Sequence, residues 1–249
     1  MDIFRLKLFP AIFVVVTLGV YQISYANENI QTKQYESGGI YEGEFLEGKQ
    51  HGRGKYSLPN GYVYEGDWAD GKIQGKGKAK YPDGSVYEGT FKNGKHFGNG
   101  TLTFADGSQY KGSWKDGNFD GFGKLEYANG VILEGTFLNG KLEGKGTQIS
   151  PNGYSYDGDW LDGKKVGHAM IKYEGGGNYV GLVSDGIRQG KGKLTLQDGT
   201  ILEGVFQSGT LIGEGKVKFV NGDQYSGEIT TGKIEGEGRT LFSSIKGDV

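Results

Sequence analysis

Hydrophobic and polar residues alternate along most of this chain, and the alternating runs recur at a constant interval. Aligned on a Tyr-Glu-Gly triplet, the recurring segment has a spacing of 23 residues and begins at Tyr41, Tyr64, Tyr87, Tyr110, Leu133, Tyr156, Tyr179, Leu202 and Tyr225. A fixed period of this length is the sequence signature of a repeat protein. We number positions 1 to 23 within units one to nine, which are 41–63, 64–86, 87–109, 110–132, 133–155, 156–178, 179–201, 202–224 and 225–247.

Two turn signals divide each unit into two strands. Positions 7 and 8 read Asp70-Gly71 in unit two and Asn93-Gly94 in unit three, which is typical of a two-residue β-hairpin loop. Positions 19 to 21 read Pro-Asp-Gly at 82–84, which suits a three-residue loop that ends in a left-handed glycine. The pattern therefore predicts an all-β protein with about eighteen strands in one antiparallel sheet.

Side-chain alternation assigns the aromatic residues and most glycines to one face of that sheet. The two loop lengths would pair Gly66 with Gly75 on one side and with Gly54 on the other, so a ribbon of glycine would cross the sheet beneath the rings. Each unit would then bury its rings only against its neighbours. The predicted structural positions are Tyr64, Gly66, Trp68, Gly75, Gly77, Tyr87, Gly89, Phe91, Tyr110, Gly112, Trp114, Tyr156, Gly158 and Trp160.

Composition agrees with a folded repeat rather than with disorder. The chain has 249 residues with 49 glycines, 4 prolines and 13% aromatic residues, and disordered chains are poor in aromatics. The net charge of −2 gives no electrostatic argument for binding nucleic acid. Cysteine is absent from the sequence, which excludes disulfides and thiol nucleophiles.

The first 26 residues have a different character. Two basic residues, Arg5 and Lys7, precede an apolar run, and small residues follow at Ser24 and Ala26. This arrangement predicts a cleaved signal peptide over 1–26, and therefore a periplasmic or secreted protein. The alternative is that residues 8–26 remain as an anchor in the inner membrane.

The repeat itself resembles a known family. The segment YEGDWADGKIQGKGKAKYPDG, at residues 64–84, resembles the membrane occupation and recognition nexus (MORN) repeat. The resemblance covers 41–247 as nine units, Tyr35 looks like the end of a degenerate half-repeat within 27–40, and 248–249 form a tail. It implies an elongated, twisted single antiparallel sheet of stacked hairpins. It also implies a use in scaffolding, self-association or membrane attachment.

Enzymatic and cofactor chemistry find no support in the sequence. The Gly-x-Gly segments are not followed by a helix, whose N-terminus a phosphate-binding loop requires. His51, His96 and His168 occupy different positions of separate units, so they predict no metal site. We therefore expect no catalytic residue, no cofactor, no metal and no small-molecule substrate.

Two surfaces remain as candidates for binding. A basic patch on the polar face, proposed to contact an anionic membrane, comprises Arg53, Lys55, Lys72, Lys76, Lys78 and Lys80, although neighbouring acids such as Glu65 would neutralise it. A candidate protein contact comprises Val180, Leu182, Val205 and Ile212, apolar residues on the face that is polar elsewhere.

Together these features predict an exported, non-enzymatic scaffold or adaptor at the cell envelope. It would associate with a protein partner, with a second copy of itself or with a membrane surface. The alternative is a module that binds carbohydrate or another envelope polymer through an exposed row of Trp68, Trp114 and Trp160.

Overall fold

The computed structural model describes residues 30–243, which form one antiparallel sheet of nineteen strands and contain no helix. The strands are β1 Ile30–Gln34, β2 Ile40–Leu46, β3 Lys49–Ser57, β4 Val63–Ala69, β5 Lys72–Lys80, β6 Val86–Lys92, β7 Lys95–Thr103, β8 Gln109–Lys115, β9 Asn118–Glu126, β10 Ile132–Leu138, β11 Lys141–Ile149, β12 Ser155–Leu161, β13 Lys164–Lys172, β14 Asn178–Ser184, β15 Ile187–Thr195, β16 Ile201–Gln207, β17 Thr210–Lys218, β18 Gln224–Thr230 and β19 Lys233–Leu241.

The sheet follows the order of the chain. Each strand pairs antiparallel with the strand before it and the strand after it, from β1 through to β19, so the sheet is open. Each unit supplies two strands, and β1 adds one more from the segment before Tyr41. The predicted fold class is confirmed. The predicted signal peptide at 1–26 and the tail at 248–249 lie outside the described residues.

Both predicted turns form as the sequence indicated. Asp70 and Gly71 both have positive φ, 49° and 78°, which is the backbone of a type I′ hairpin turn. The loop at 82–84 is closed by a hydrogen bond from the Gly84 N–H to the Tyr81 carbonyl, at 2.9 Å. The N–H of Gly71 also donates to the Gln50 carbonyl of the preceding unit, at 2.9 Å, so the turns are linked along the array.

The predicted pairing of Gly66 with Gly75 is wrong. Gly66 lies opposite Gly77, because the second strand carries a bulge that adds two residues after the turn. Gly75 sits in this bulge with φ of 101°, a left-handed value that favours glycine. The glycines at position 12 are therefore required by backbone conformation. They are not the platform for the rings, which the glycines at positions 3 and 14 provide.

The bulge also changes which charges face each other. Without the bulge Glu65 would lie opposite Lys76, but it lies opposite Lys78, two residues further along β5. The backbone N–H of Lys76, freed by the bulge, donates to the Asp67 carboxylate at 2.8 Å. A carboxylate at position 4 thus satisfies a donor that the ladder leaves unpaired.

The aromatic face is buried by the array itself. The Tyr64 and Tyr87 side chains are fully buried, and each ring meets an aromatic ring of the next unit edge to face. The ring centroids are 5.1 Å apart for Tyr64 and Phe91, and for Tyr87 and Trp114. Such geometry contributes about 0.5–1.5 kcal/mol per pair beyond area burial. We call this side the inner face and the opposite side the outer face.

Candidate functional site

The glycine ribbon lets each tyrosine lie flat on the sheet. A Cβ added to Gly66 would stand 2.5 Å from the Cα of Gly77 and 2.5 Å from the Tyr64 hydroxyl oxygen, closer than any real contact. That hydroxyl donates to the Asp67 carbonyl at 2.9 Å, and burial raises the pKa of Tyr64 well above its ordinary value. The same bond, from position 1 to position 4, recurs in every unit that has tyrosine at position 1.

The three tryptophans belong to this packing rather than to an open binding surface. Trp68, Trp114 and Trp160 are 7%, 4% and 6% exposed. Each indole N–H donates to the carbonyl of a position 14 glycine in the preceding unit, at 3.2, 3.1 and 2.9 Å. The exposed tryptophan row on which the carbohydrate alternative depended is not present.

Position 10 covers the tyrosine ring, and sequence reasoning overlooked it. His96 stacks on Tyr87 with centroids 3.6 Å apart, and Phe119 stacks on Tyr110 at 3.7 Å. In unit five, where position 1 is leucine, Leu142 at position 10 is buried in place of the missing ring. Position 10 therefore accepts several side chains that close the inner face.

Basic residues fill position 10 in units six and seven. The Lys165 ammonium lies 4.9 Å from the centroid of the Tyr156 ring and donates to the Tyr154 hydroxyl at 2.9 Å. Burial lowers the pKa of Lys165. Arg188 donates to the Tyr173 hydroxyl at 3.1 Å and to the Gly209 carbonyl, with Nε at 3.0 Å. These cations are held by packing and hydrogen bonds within the inner face.

The predicted basic patch lies on the outer face, where acids interrupt it. Lys55 lies between Glu42 and Glu65 on the two neighbouring strands, and Lys78 lies between Glu65 and Glu88. Lys78 approaches Glu88 at 3.5 Å. Arg53 likewise approaches Asp67 at 3.7 Å. Lys72 stands at the start of β5, beside the turn. Lys76 lies opposite Thr90, and Lys80 lies between Val63 and Val86. The patch is therefore balanced at Arg53, Lys55 and Lys78 only, and its contact with a membrane stays a prediction.

The predicted apolar contact lies on the outer face of the later units. Val180 and Val205 are 46% and 42% exposed, Leu182 and Ile212 are half-buried, and Val205 lies directly opposite Ile212. The structure adds Met170, which is 57% exposed and lies directly opposite Val180. We call the five residues the outer apolar site; they are Met170, Val180, Leu182, Val205 and Ile212.

A depression of about 360 Å³ adjoins the outer apolar site, and its apolar wall consists of Ile149, Met170 and Val180. Position 15 is lysine, threonine or arginine in every other unit, so Met170 departs from the pattern in the sequence itself. This departure at position 15 is the sequence signal for Met170, and it lies in the second strand of the hairpin.

No metal-binding cluster of His, Cys, Asp or Glu occurs within residues 30–243. The same part of the chain contains no helix long and apolar enough to cross a membrane. His51 and His96 each carry a buried Nδ1 atom without a hydrogen-bond partner among the described residues, and the two histidines belong to different units. Within residues 30–243 these histidines therefore form no cluster with each other.

Several solved structures show a distant similarity to this chain. The TCP domain of SAS-4 from Drosophila melanogaster, solved with a proline-rich motif of Ana2, is 16% identical with a TM-score of 0.39 over 71% of this chain and 90% of that one. A mutant TCP10 domain of Danio rerio CPAP is 13% identical with a TM-score of 0.45, over 82% and 99%. Virginiamycin B lyase from Staphylococcus aureus is 12% identical with a TM-score of 0.16, over 88% and 72%. Such low scores carry no information about function.

A comparison with curated proteins gives no match. The family model of the MORN repeat does match, in seven segments at 41–61, 64–86, 87–109, 110–132, 134–153, 156–177 and 179–201. Units eight and nine lie outside the matched segments, although strands β16 to β19 continue the same hairpins. The matched segments cover more than half of the sequence and coincide with the hairpins of the sheet, so the chain belongs to the MORN repeat family.

Proposed function

We propose that this protein is an exported, non-enzymatic scaffold at the cell envelope that associates with protein through the outer apolar site. MORN repeats are protein- and membrane-association modules and typically lack catalytic activity. Export rests on the apolar segment at 1–26 and is supported by sequence alone. The observation that carries the association is the exposed pair of Met170 and Val180, at cross-strand sites where charged residues stand opposite each other in several other units.

The position of these residues supports protein contact. Charged pairs occupy the same cross-strand sites in other units, as Glu65 and Lys55 do between β3 and β4. Met170 and Val180 replace such a pair without adding to the packing of the inner face, because that face lies on the other side of the sheet. Exposed apolar clusters on soluble domains commonly mark interaction sites. Self-association can be measured directly with the purified protein, so it is the first form of association to test.

Sedimentation velocity over a range of protein concentrations tests this proposal. We expect the purified protein to sediment as more than one chain, and we expect Leu182→Glu to shift it to the monomer because a charge would enter the contact. Leu138→Glu is the matched control, since Leu138 is an exposed leucine of β10 outside the site. A monomer at every concentration, with no response to Leu182→Glu, would remove self-association from the proposal.

A further inference from the structure

Positions 2 and 15 form a continuous row across the outer face, in which neighbouring strands place their side chains directly opposite each other. Across β2 to β6 this charge row reads Glu42, Lys55, Glu65, Lys78 and Glu88. Acid and base alternate without interruption in this stretch. Opposite charges at such sites attract, and each cation has a carboxylate on both sides.

The charge row loses this alternation first at Thr101, Lys111 and Lys124, and it is broken again near its C-terminal end. Across β15 to β19 it reads Lys193, Glu203, Lys216, Ser226 and Arg239. Ser226 occupies position 2, where units one to three have Glu42, Glu65 and Glu88. Lys216 and Arg239 are therefore separated by a neutral serine, and each lacks a carboxylate on that side.

A depression of about 410 Å³ lies over this break. Its cationic lining consists of Lys193, Lys216, Lys218 and Arg239, and Glu203 is its only acid. None of the four cations makes a salt bridge to a residue within 30–243. The lining of the depression thus carries an excess of three positive charges, and two acids outside it, Glu214 and Glu228, lie opposite each other two residues along from Lys216 and Ser226.

Neutral hydrogen-bonding groups lie between the cations. Ser226 and Gln224 are exposed residues of β18 that line the depression. Ser226 has a basic residue on both sides, Lys216 and Arg239, whereas Gln224 has Lys218 on one side and Leu241 on the other. A hydroxyl and an amide can both donate to an oxyanion.

We propose that this depression, which we call the phosphate depression, binds a phosphate-bearing group. A phosphomonoester carries about −1.5 to −2 charges at neutral pH, which matches an excess of three positive charges better than a single carboxylate does. The Arg239 guanidinium can bind two phosphate oxygens at once, while lysine acts as a point charge. The site is distinct from the outer apolar site, and the inference does not depend on the proposed function.

Isothermal titration calorimetry with inorganic phosphate tests the site on the purified protein. We expect one binding site per chain, weakened at least tenfold by Ser226→Glu, which restores the acid of the charge row and fills the site with negative charge. Arg239→Gln should weaken binding as well. Gln109→Glu is the control, because Gln109 is exposed on the outer face of β8, far along the array, and should leave affinity unchanged.

A second measurement identifies the source of the phosphate. Vesicles of phosphatidylcholine with phosphatidic acid present the same monoester on a lipid headgroup, and co-sedimentation reports their binding. Binding to inorganic phosphate supports a soluble ligand, and binding to the vesicles alone supports a headgroup, provided that Ser226→Glu weakens that binding at least tenfold. Absence of binding to both probes, or equal binding by the wild type and Ser226→Glu, would overturn the inference.

Discussion

Unit two (64–86) and unit seven (179–201) can be compared position by position, because both form the same hairpin. On the inner face they agree at the first tyrosine and at the glycine ribbon: Tyr64 and Tyr179 are both fully buried. A Cβ at either Gly66 or Gly181 would stand 2.5 Å from the Cα of the facing glycine. The inner face is therefore constrained in the same way at both places.

On the outer face the first strands of the two units differ, although their second strands carry lysine at the same positions, 76 and 78 in unit two and 191 and 193 in unit seven. Unit two has Glu65 and Asp67, and Asp67 accepts the N–H of Lys76 within the bulge. Unit seven has Val180 and Leu182 at the same positions, and neither side chain can accept a hydrogen bond. The difference shows that the fold constrains one face while the other is free to acquire binding surfaces. Function in this array should be sought in departures on the outer face.

The largest expected effect tests the shared inner face. Gly66→Val and Gly181→Val should each destabilise the protein by about 3 kcal/mol, the upper part of the range for overpacking, because the clash is with backbone. Glu65→Val, which installs the residue that unit seven carries at 180, should change stability by less than about 1 kcal/mol. Urea denaturation measures all three. A large effect of Glu65→Val, or a difference between the two glycine variants, would break the comparison.

The next prediction concerns position 10, where unit two has Ile73 and unit seven has Arg188. Arg188→Ile should cost about 2 kcal/mol, since it removes charged hydrogen bonds to the Tyr173 hydroxyl and the Gly209 carbonyl. The position that Tyr173 occupies is Leu58 in the unit before Ile73. The double variant Arg188→Ile with Tyr173→Leu should therefore recover part of the loss. Additive costs in this double-mutant cycle would show that the two positions are independent.

This pairing rule was present in the sequence but was not predicted. Position 10 is polar at Gln50, His96, Lys165 and Arg188. For all of these except Lys165, which donates to Tyr154, position 18 of the preceding unit is a tyrosine that shares a hydrogen bond with it. The two positions are 15 residues apart. An alignment of the units does not show that position 18 of one unit meets position 10 of the next. The contact becomes visible only when the strands are paired in their observed register.

His96, which occupies position 10 in unit three, extends the comparison to the dependence of stability on pH. Burial lowers the pKa of His96 from 6.5 to about 4. Because the unfolded chain takes up the proton first, stability should be fully present above pH 6.5 and should fall as the pH drops towards 4. We expect a loss of roughly 1–2 kcal/mol after allowing for the partial exposure of the ring.

His96→Phe provides the control, because Phe119 already stacks on Tyr110 in the next unit at 3.7 Å. Chemical denaturation at pH 7 and at pH 4.5 should show a smaller difference for the variant than for the wild type. Equal pH dependence in the two proteins would mean that His96 is protonated in the folded state.

Most of the fold follows from short-range signals in the sequence. The turns at Asp70-Gly71 and at 82–84, and the alternation of side chains, are local features, and they determine the strands and the faces. The bulge was missed because glycine at Gly75 has two explanations, space for a ring and positive φ. A signal did exist: position 14 accepts alanine at Ala169, whereas position 12 is glycine in all nine units.

The candidate sites were predicted less completely than the fold. Val180 and Leu182 were recognised as departures on the first strand of a hairpin, but Met170 and Ser226 become meaningful only beside their cross-strand partners. The basic patch around Lys78 was predicted from the alternation of side chains, yet the neutralisation of Lys78 depends on its pairing with Glu65 and Glu88. Composition identifies charged residues, and register decides whether they are paired.

The smallest expected effect has the opposite sign and bears most directly on function. In unit two the Asp67 carboxylate accepts the Lys76 N–H at 2.8 Å, and the corresponding residue of unit seven is Leu182. Leu182→Asp should let a carboxylate accept the Lys191 N–H in the same way, and the folded chain should gain about 0.5–1 kcal/mol. Association through the outer apolar site should weaken at the same time, because the charge would be buried in the contact. Urea denaturation at a concentration where the chain is monomeric, together with sedimentation velocity, separates the two effects. A variant that is both less stable and equally associated would show that Leu182 packs within its own chain, and the outer apolar site would then have no role in binding.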